Sequence, residues 1–447
     1  MEGLEISVVK LSEVLEDVDL RLESEYYNSE HIVFNSVQGC DIESFSQYGT
    51  SEDLNEEGKG FPILRLNEFD SFFISKPSKY CDLISKETFE LLKLKKNDVL
   101  ICRTNGNPKY VGKAAIVPKN YEYAFASYVF RLRPKTDIIN SATLVSFLNS
   151  KYGRIEIEKY SMVGNQANFS PAKFRQIAIP ILSKELNNKI EEIVYKSFEL
   201  LEESKSLYSQ AEDLLLGELG LKDWRPKNTL HTTKKFSDFA QSGRLDAEYY
   251  QPKYDEIEKA IKSYKGGYDI VSNLFNQNLD VCDYKKTEYN YIEIGDVNVG
   301  DGSVSFNKVE TSELPDNAKR VLNKNDILIS KVRPYRGAVA IIDFEQEDLI
   351  GSGAFTVLQE KSSYKKETLQ ILFRTAVYKD WLLKWNVGSS YPVIKDEDIL
   401  NLPIPILPEQ IQKKIASLIQ QSFECKAQSK QLLEDAKRMV EAEIEKN

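Results

Sequence analysis

The chain has 447 residues, 41% of them hydrophobic and 29% charged, with 21 Gly, 15 Pro and a formal net charge of -10, which is the composition of a globular protein about three domains long. Cys40, Cys81, Cys102, Cys282 and Cys425 are far apart and never form CxxC, which argues against a disulfide framework and a zinc site, and the two histidines, His31 and His231, exclude a His-rich metal centre and argue against an imidazole-based triad. There is no apolar run of about 18 residues and the start, Met1-Glu2-Gly3-Leu4-Glu5, is acidic where a signal peptide is basic, so a cytoplasmic location and no membrane association are expected.

Charge is unevenly spread along the chain. Met1 to Gly60 holds about fifteen acids against three bases, whereas Leu100 to Lys135 holds about seven bases against Glu122 alone. The segment Arg21-Leu-Glu-Ser-Glu-Tyr-Tyr27 opens the pattern. Short β-type runs follow at Phe61–Leu66, Val99–Cys102, Ala114–Val117 and Tyr128–Leu132, the second introduced by the polar turn of Leu94-Lys-Lys-Asn-Asp-Val-Leu-Ile101. A helical patch spans Ala142 to Tyr160, and Ala178-Ile-Pro-Ile-Leu182 leads into a long helical stretch, Ser183 to Leu216. Lys222 to Thr229 then has the Pro and polar content of a connector.

The series next repeats in the same order about 225 residues later, as expected for a duplicated unit. Arg244-Leu-Asp-Ala-Glu-Tyr-Tyr250 answers the first segment, Leu322-Asn-Lys-Asn-Asp-Ile-Leu-Ile329 the second, and Pro403-Ile-Pro-Ile-Leu407 the third. A basic stretch, Lys319 to Ala340, has about six bases against Asp326, a helical patch spans Glu367 to Trp385, and a second long helix runs from Glu409 with Pro408 in its first turn.

In the first long helix Leu186, Ile190, Ile193, Ser197, Leu200, Ser204, Leu207, Ala211 and Leu214 alternate at spacings of 4 and 3. In the second, Ile411, Ile415, Leu418, Ser422, Cys425, Ser429, Leu432, Ala436 and Met439 keep the same register and the same two Ser interruptions. Such seams need a partner, and pairing the two copies antiparallel satisfies both; about 33 residues would make a rod of roughly 50 Å.

The strand at Val99–Cys102 runs into a loop carrying Arg103, Asn105, Asn107, Lys109 and Tyr110. Arg and Asn are the side chains that bond guanine and adenine edges bidentately, and Lys suits phosphate; Lys113 and Arg131 are candidates for positioning on phosphates. The counterpart loop offers Lys331, Arg333, Tyr335 and Arg336. A later pair of loops holds Asn165, Gln166 and Asn168 in one copy and Ser389, Ser390 and Tyr391 in the other, residue types that also fill ordinary surface turns.

This duplicated plan, with Asn97-Asp-Val-Leu-Ile101 and Asn325-Asp-Ile-Leu-Ile329, the two Arg-Leu-x-x-Glu-Tyr-Tyr segments and the Ile-Pro-Ile-Leu entries to the helices, resembles the specificity subunits of Type I restriction-modification systems over essentially the whole chain. The resemblance implies an α+β protein with two globular target recognition domains, residues 1–182 and 234–407, separated by two long helices, 183–221 and 408–447, that pair as an antiparallel coiled coil, with a linker at 222–233. It implies double-stranded DNA with a bipartite target as ligand, one half per domain. The partners it implies are two adenine-N6 methyltransferase subunits and, in the full complex, ATP-driven restriction subunits. The chain itself would have no catalytic centre, metal or cofactor, the methyl donor and ATP belonging to the partner subunits.

Two other classes compete with this reading. Asn107-Pro-Lys-Tyr110 is one residue from an Asn-Pro-Pro-Tyr adenine-holding motif, and Asp348-Leu-Ile-Gly-Ser-Gly353 is similar to a methyl-donor loop, but the fragments fall in different copies and neither recurs. A self-contained adenine-N6 methyltransferase is one alternative. A coiled-coil adaptor without DNA binding, which predicts no salt-dependent affinity for duplex DNA, is the other.

Overall fold

A computed structural model describes residues 8, 10–16, 34–161, 167–227, 229, 231–388 and 391–446. The first landmark, Arg21 to Tyr27, lies outside them. The chain divides into two compact units, Met1–Leu201 with Lys426–Asn447, and Glu202–Cys425, so each unit takes part of both long helices.

In the first unit a four-stranded antiparallel sheet is built from β1 (Glu43–Tyr48), β2 (Val99–Cys102), β3 (Ala114–Ile116) and β4 (Val129–Pro134), in the order β1-β4-β2-β3. Side chains of a strand alternate between faces. Val99 and Ile101 therefore pack on one side with Phe130, Leu132 and the helices α1 (Ser141–Leu148) and α2 (Lys151–Tyr160), while Leu100 packs on the other with Ile63, Phe125 and Val129. Burial on both faces is why these strands read as unbroken apolar runs. The predicted helical patch at 142–160 is broken in two, because Ser150 caps α2 by accepting from the Gly153 N–H at 3.2 Å. Gly153 is required there, since a Cβ would lie 1.9 Å from the Phe147 carbonyl oxygen.

The second unit repeats this plan. Its strands β5 (Phe275–Gln277), β6 (Ile327–Ser330), β7 (Val339–Ile341) and β8 (Phe355–Glu360) keep the same order, β5-β8-β6-β7. Ile327 and Ile329 face one core and Leu328 the other. The second predicted patch is broken in the same way, into α4 (Lys366–Arg374) and α5 (Ala376–Trp381), with Thr375 capping α5.

The Asn-Asp-x-Leu-Ile repeat belongs to this scaffold. Asn97 (φ 70°) and Asn325 (φ 76°) take the left-handed conformation that Asn tolerates better than most residues. The following aspartates, both buried, each accept a backbone N–H across the turn at 2.9 Å, from Lys95 and Asn323. Their other partners differ. Asp98 pairs with Arg131 at 3.2 Å and Arg133 at 2.5 Å, whereas Asp326 takes the amides of Asn278 at 3.1 Å and Gln359 at 2.9 Å. Burial without a cation holds the Asp326 carboxyl above its ordinary range.

The long helices are α3 (Lys184–Leu219) and α6 (Glu409–Ile444), and each unit contains an antiparallel pairing of the two. In the first unit Ser197 Oγ meets Ser429 Oγ at 2.8 Å and donates to its carbonyl at 3.0 Å; in the second Ser204 Oγ meets Ser422 Oγ at 3.0 Å. The Ser interruptions shared by both seams are thus facing, mutually satisfied layers. Ile190, Leu200, Ala211, Ile415 and Ala436 are buried as the seam predicts, but its other positions are offset from the sequence expectation. Leu186, Ile193, Leu207, Leu214, Ile411, Leu418, Leu432 and Met439 are only half-buried, as is Cys425. Buried beside Ile190, Leu200 and Ile415 are Asn187, Val194, Leu201, Leu215, Gln412, Ile419, Leu433 and Val440, one residue further along. The reason is that each stretch packs on its unit's globular core as well as on the other helix, which demands a stripe wider than a two-helix seam. Pro408 also differs from expectation: it stands before the first turn, its carbonyl accepting from Ile411 and Gln412. Among the described residues no helix is long and apolar enough to cross a membrane.

Candidate nucleic-acid interface

In the first unit β2 ends at the sheet's rim and the chain enters the loop 103–112. Asn105 Oδ1 accepts from the Asn107 N–H at 2.8 Å and Asn107 Oδ1 from the Lys109 N–H at 3.1 Å, so both amides begin as turn formers. This leaves their NH2 groups for other partners and exposes Lys109 and Tyr110 on the 3-10 turn Pro108–Tyr110. The loop closes on Gly112, left-handed at φ 76°, where a Cβ would meet Ile157 at 2.3 Å. Arg154 of α2 clamps it from beneath by donating to the carbonyls of Val111 at 2.8 Å and Lys109 at 3.3 Å. Burial pushes the neighbouring Cys102 thiol up to about 12, making it a packing residue rather than a nucleophile.

The later loop joins it at the same rim. Phe169 N–H donates to the Arg103 carbonyl at 2.8 Å and Thr104 bridges to Asn168. The Arg103 guanidinium lies over the ring of Tyr48, 5.1 Å from its centroid, and its buried Nε has no hydrogen-bond partner among the described residues. Tyr48, Tyr128 and Tyr110 are 46%, 36% and 46% exposed, so the rim presents aromatic faces beside cations. Lys113 stands half-buried near Tyr110.

The second unit pairs its loops in the same way. Arg333 N–H donates to the Pro392 carbonyl at 2.8 Å, Ile394 N–H to the Lys331 carbonyl at 3.0 Å, and Val332 bridges to Val393. Arg333 is held at φ 48°, a conformation costing a non-glycine residue about 1–2 kcal/mol, with its guanidinium 4.2 Å from the Tyr391 ring centroid. Tyr335 and Arg336 are exposed on the turn Pro334–Arg336. Arg374 clamps this loop, donating to the carbonyl of Gly337 at 2.9 Å.

Two of the sequence candidates are scaffold residues. Arg131 is 2% exposed, ion-paired to Asp98 and bonded to the carbonyls of Lys93 and Leu91, both at 2.8 Å, so no part of its guanidinium faces a phosphate. Lys331 is tied to Asp396 at 3.0 Å, and Asp396 is held in turn by Thr356. Asn165, Gln166, Ser389 and Ser390 lie outside the described residues. Sequence reading missed Tyr48 and Tyr128, whose β-type context looks like any strand, and the clamps Arg154 and Arg374, which sit as ordinary cations in helical patches.

Each unit is therefore a sheet that presents a pair of bonded loops carrying arginine and aromatic groups, joined in the first unit by the amides of Asn105, Asn107 and Asn168, side chains able to bond base edges and phosphates. Residues 269–438 match the family model of the Type I restriction modification DNA specificity domain. No curated protein matches the chain in sequence. Among solved structures it is similar to the Type I restriction-modification S subunit from M. genitalium, at 12% identity over 93% of this chain and 96% of that one, with a TM-score of 0.44. It is also similar to the HsdS subunit from Thermoanaerobacter tengcongensis, at 13% identity over 92% and 96%, TM-score 0.29. The likeness to the type IIG restriction endonuclease BpuSI is 11% identity over 35% of this chain and 26% of that one, TM-score 0.24.

Proposed function

We propose that the chain is the specificity subunit of a Type I restriction-modification complex, each unit reading one half of a bipartite DNA target. The observation that carries this reading is the duplicated loop pair: 103–112 bonded to 167–170 in the first unit, and 331–337 bonded to 391–394 in the second. The side chains differ between copies on one scaffold, as two readers of different half-sites require. Arg103, Asn105, Asn107, Lys109, Tyr110, Lys113 and Asn168 serve the first half-site, and Arg333, Tyr335, Arg336 and Tyr391 the second. In this reading the chain supplies recognition and no chemistry; α3 and α6 set the gap between half-sites and dock methyltransferase subunits, which carry the methyl donor, with restriction subunits joining the full complex.

The methyltransferase alternative finds no support in the geometry. Gly351 lies within the strand Leu349–Ser352, not in a loop before a helix, and the Asn107 side chain caps its own turn. Sequencing of modified adenines in host DNA with and without the gene tests the proposal. Loss on deletion of a two-part motif with a fixed gap is the expected result, while an unchanged methylation pattern together with no salt-dependent duplex binding by the purified chain would overturn it.

A further inference from the structure

The second Arg-Leu-x-x-Glu-Tyr-Tyr segment, Arg244 to Tyr250, is not among the residues proposed to face DNA, yet its geometry leads directly to them. Arg244 donates to the carbonyls of Trp385 at 3.1 Å and Asn386 at 2.7 Å. Its fork is held from the other side by Asp246, with Nε–Oδ1 at 2.8 Å and Nη2–Oδ2 at 2.7 Å, and it lies 4.8 Å from the ring centroid of Tyr249. Tyr249 also receives Lys384, from the 3-10 turn Leu382–Trp385, at 5.5 Å from its centroid. Tyr250 Oη donates back to the Arg244 carbonyl at 2.9 Å, and Lys253 reaches Asp380 of α5 at 2.9 Å. The two carbonyls that Arg244 grips are the last before the chain leaves that turn for the loop. Immediately beyond, Val387 and Val393 exchange backbone hydrogen bonds at 2.9 and 3.0 Å; next to Val393, the Pro392 carbonyl accepts from the Arg333 N–H and Tyr391 lies under the Arg333 guanidinium.

We infer that Arg244 is a positioning residue for recognition of the second half-site: it fixes the backbone at Trp385 and Asn386 and, through the Val387–Val393 pair, the plane of Tyr391 on which Arg333 lies, without touching DNA. The inference rests on the proposed recognition function and extends it to a residue outside the interface. An arginine is needed for the task because a planar fork can bridge two carbonyls and a carboxylate at once; the ammonium of a lysine is a point charge on a flexible stem. Arg244 is 21% exposed in its side chain, shielded enough for the fork to hold one orientation.

The test uses the full chain assembled with its methyltransferase subunits, acting on duplex pools randomised in one half-site at a time. For Arg244→Ala and Arg244→Lys, discrimination between correct and incorrect bases in the second half-site should fall about tenfold, the share of one well-oriented bidentate base contact. Discrimination in the first half-site should be unchanged. Arg244→Lys keeps the charge beside Asp246 and guards against loss of folding, and its melting profile is recorded in parallel. Equal discrimination in wild type and Arg244→Lys, or a uniform loss at both half-sites, overturns the inference while leaving the recognition function standing. A wild-type complex with no bipartite preference overturns the function and the inference together.

Discussion

Two aspartates at equivalent turns show how far a motif predicts its surroundings. Asp98 and Asp326 stand in the same five-residue pattern and make the same backbone bond, but only Asp98 neutralises buried arginine. Asp98→Asn should therefore cost about 3–5 kcal/mol in the first unit, because it strands the Arg131 charge in the core. Asp326→Asn should cost little, and its effect should depend on pH. The folded Asp326 carboxyl is raised by burial, so its share of stability is complete below about pH 4, the unfolded value, and is lost as pH rises through the folded value. The Asn variant should accordingly gain on wild type as pH is raised from about 4 to 7, checked by denaturant titration at several pH values; a constant difference would contradict the assignment. The turn itself was legible in the sequence from Asn-Asp before an apolar run. The partner was not, since Arg131 and Val357 occupy equivalent rungs opposite Leu100 and Leu328 and nothing local distinguishes a buried cation from an exposed one in an alternating strand.

The strands and the two long helices were readable because their periodicity is strong and repeated. What the seam could not show was the second surface each helix covers, and so the buried set moved by one residue, from Leu186 and Ile193 to Asn187 and Val194. Asn187 and Gln412 were invisible as core residues because they are polar, yet each is buried at the start of its helix, where its side-chain amide donates to the carbonyl of Leu182 or Leu407. The helix packing makes a prediction that sequence order alone would reverse. Leu433 follows the second unit along the chain but lies in the core of the first with Ile190 and Val194. Leu433→Ala should destabilise the first unit by about 2–5 kcal/mol, seen as faster amide exchange in β2 and β4 with the exchange of β6 and β8 unchanged.

If the chain reads DNA as proposed, the duplicated loop pair predicts independence. Arg333→Ala should relax the second half-site and leave the first intact, and equal loss at both in a methylation assay would refute separate readers. If α3 and α6 act as the spacer, deleting one heptad from each should shorten the gap between half-sites while keeping their sequences; an unchanged gap would sink that role. The core of the first unit also has a consequence for synthesis. Leu433, Ala436, Val440 and Ile444 complete that core, and Glu441 accepts the Lys151 N–H of α2 at 2.8 Å, so the first unit cannot close until about 225 further residues have been made. At roughly 5–20 residues per second this is a wait on the order of ten to fifty seconds. During it the apolar faces of Ile190 and Val194 are open on the nascent chain, and the unit translated first becomes the one that folds last.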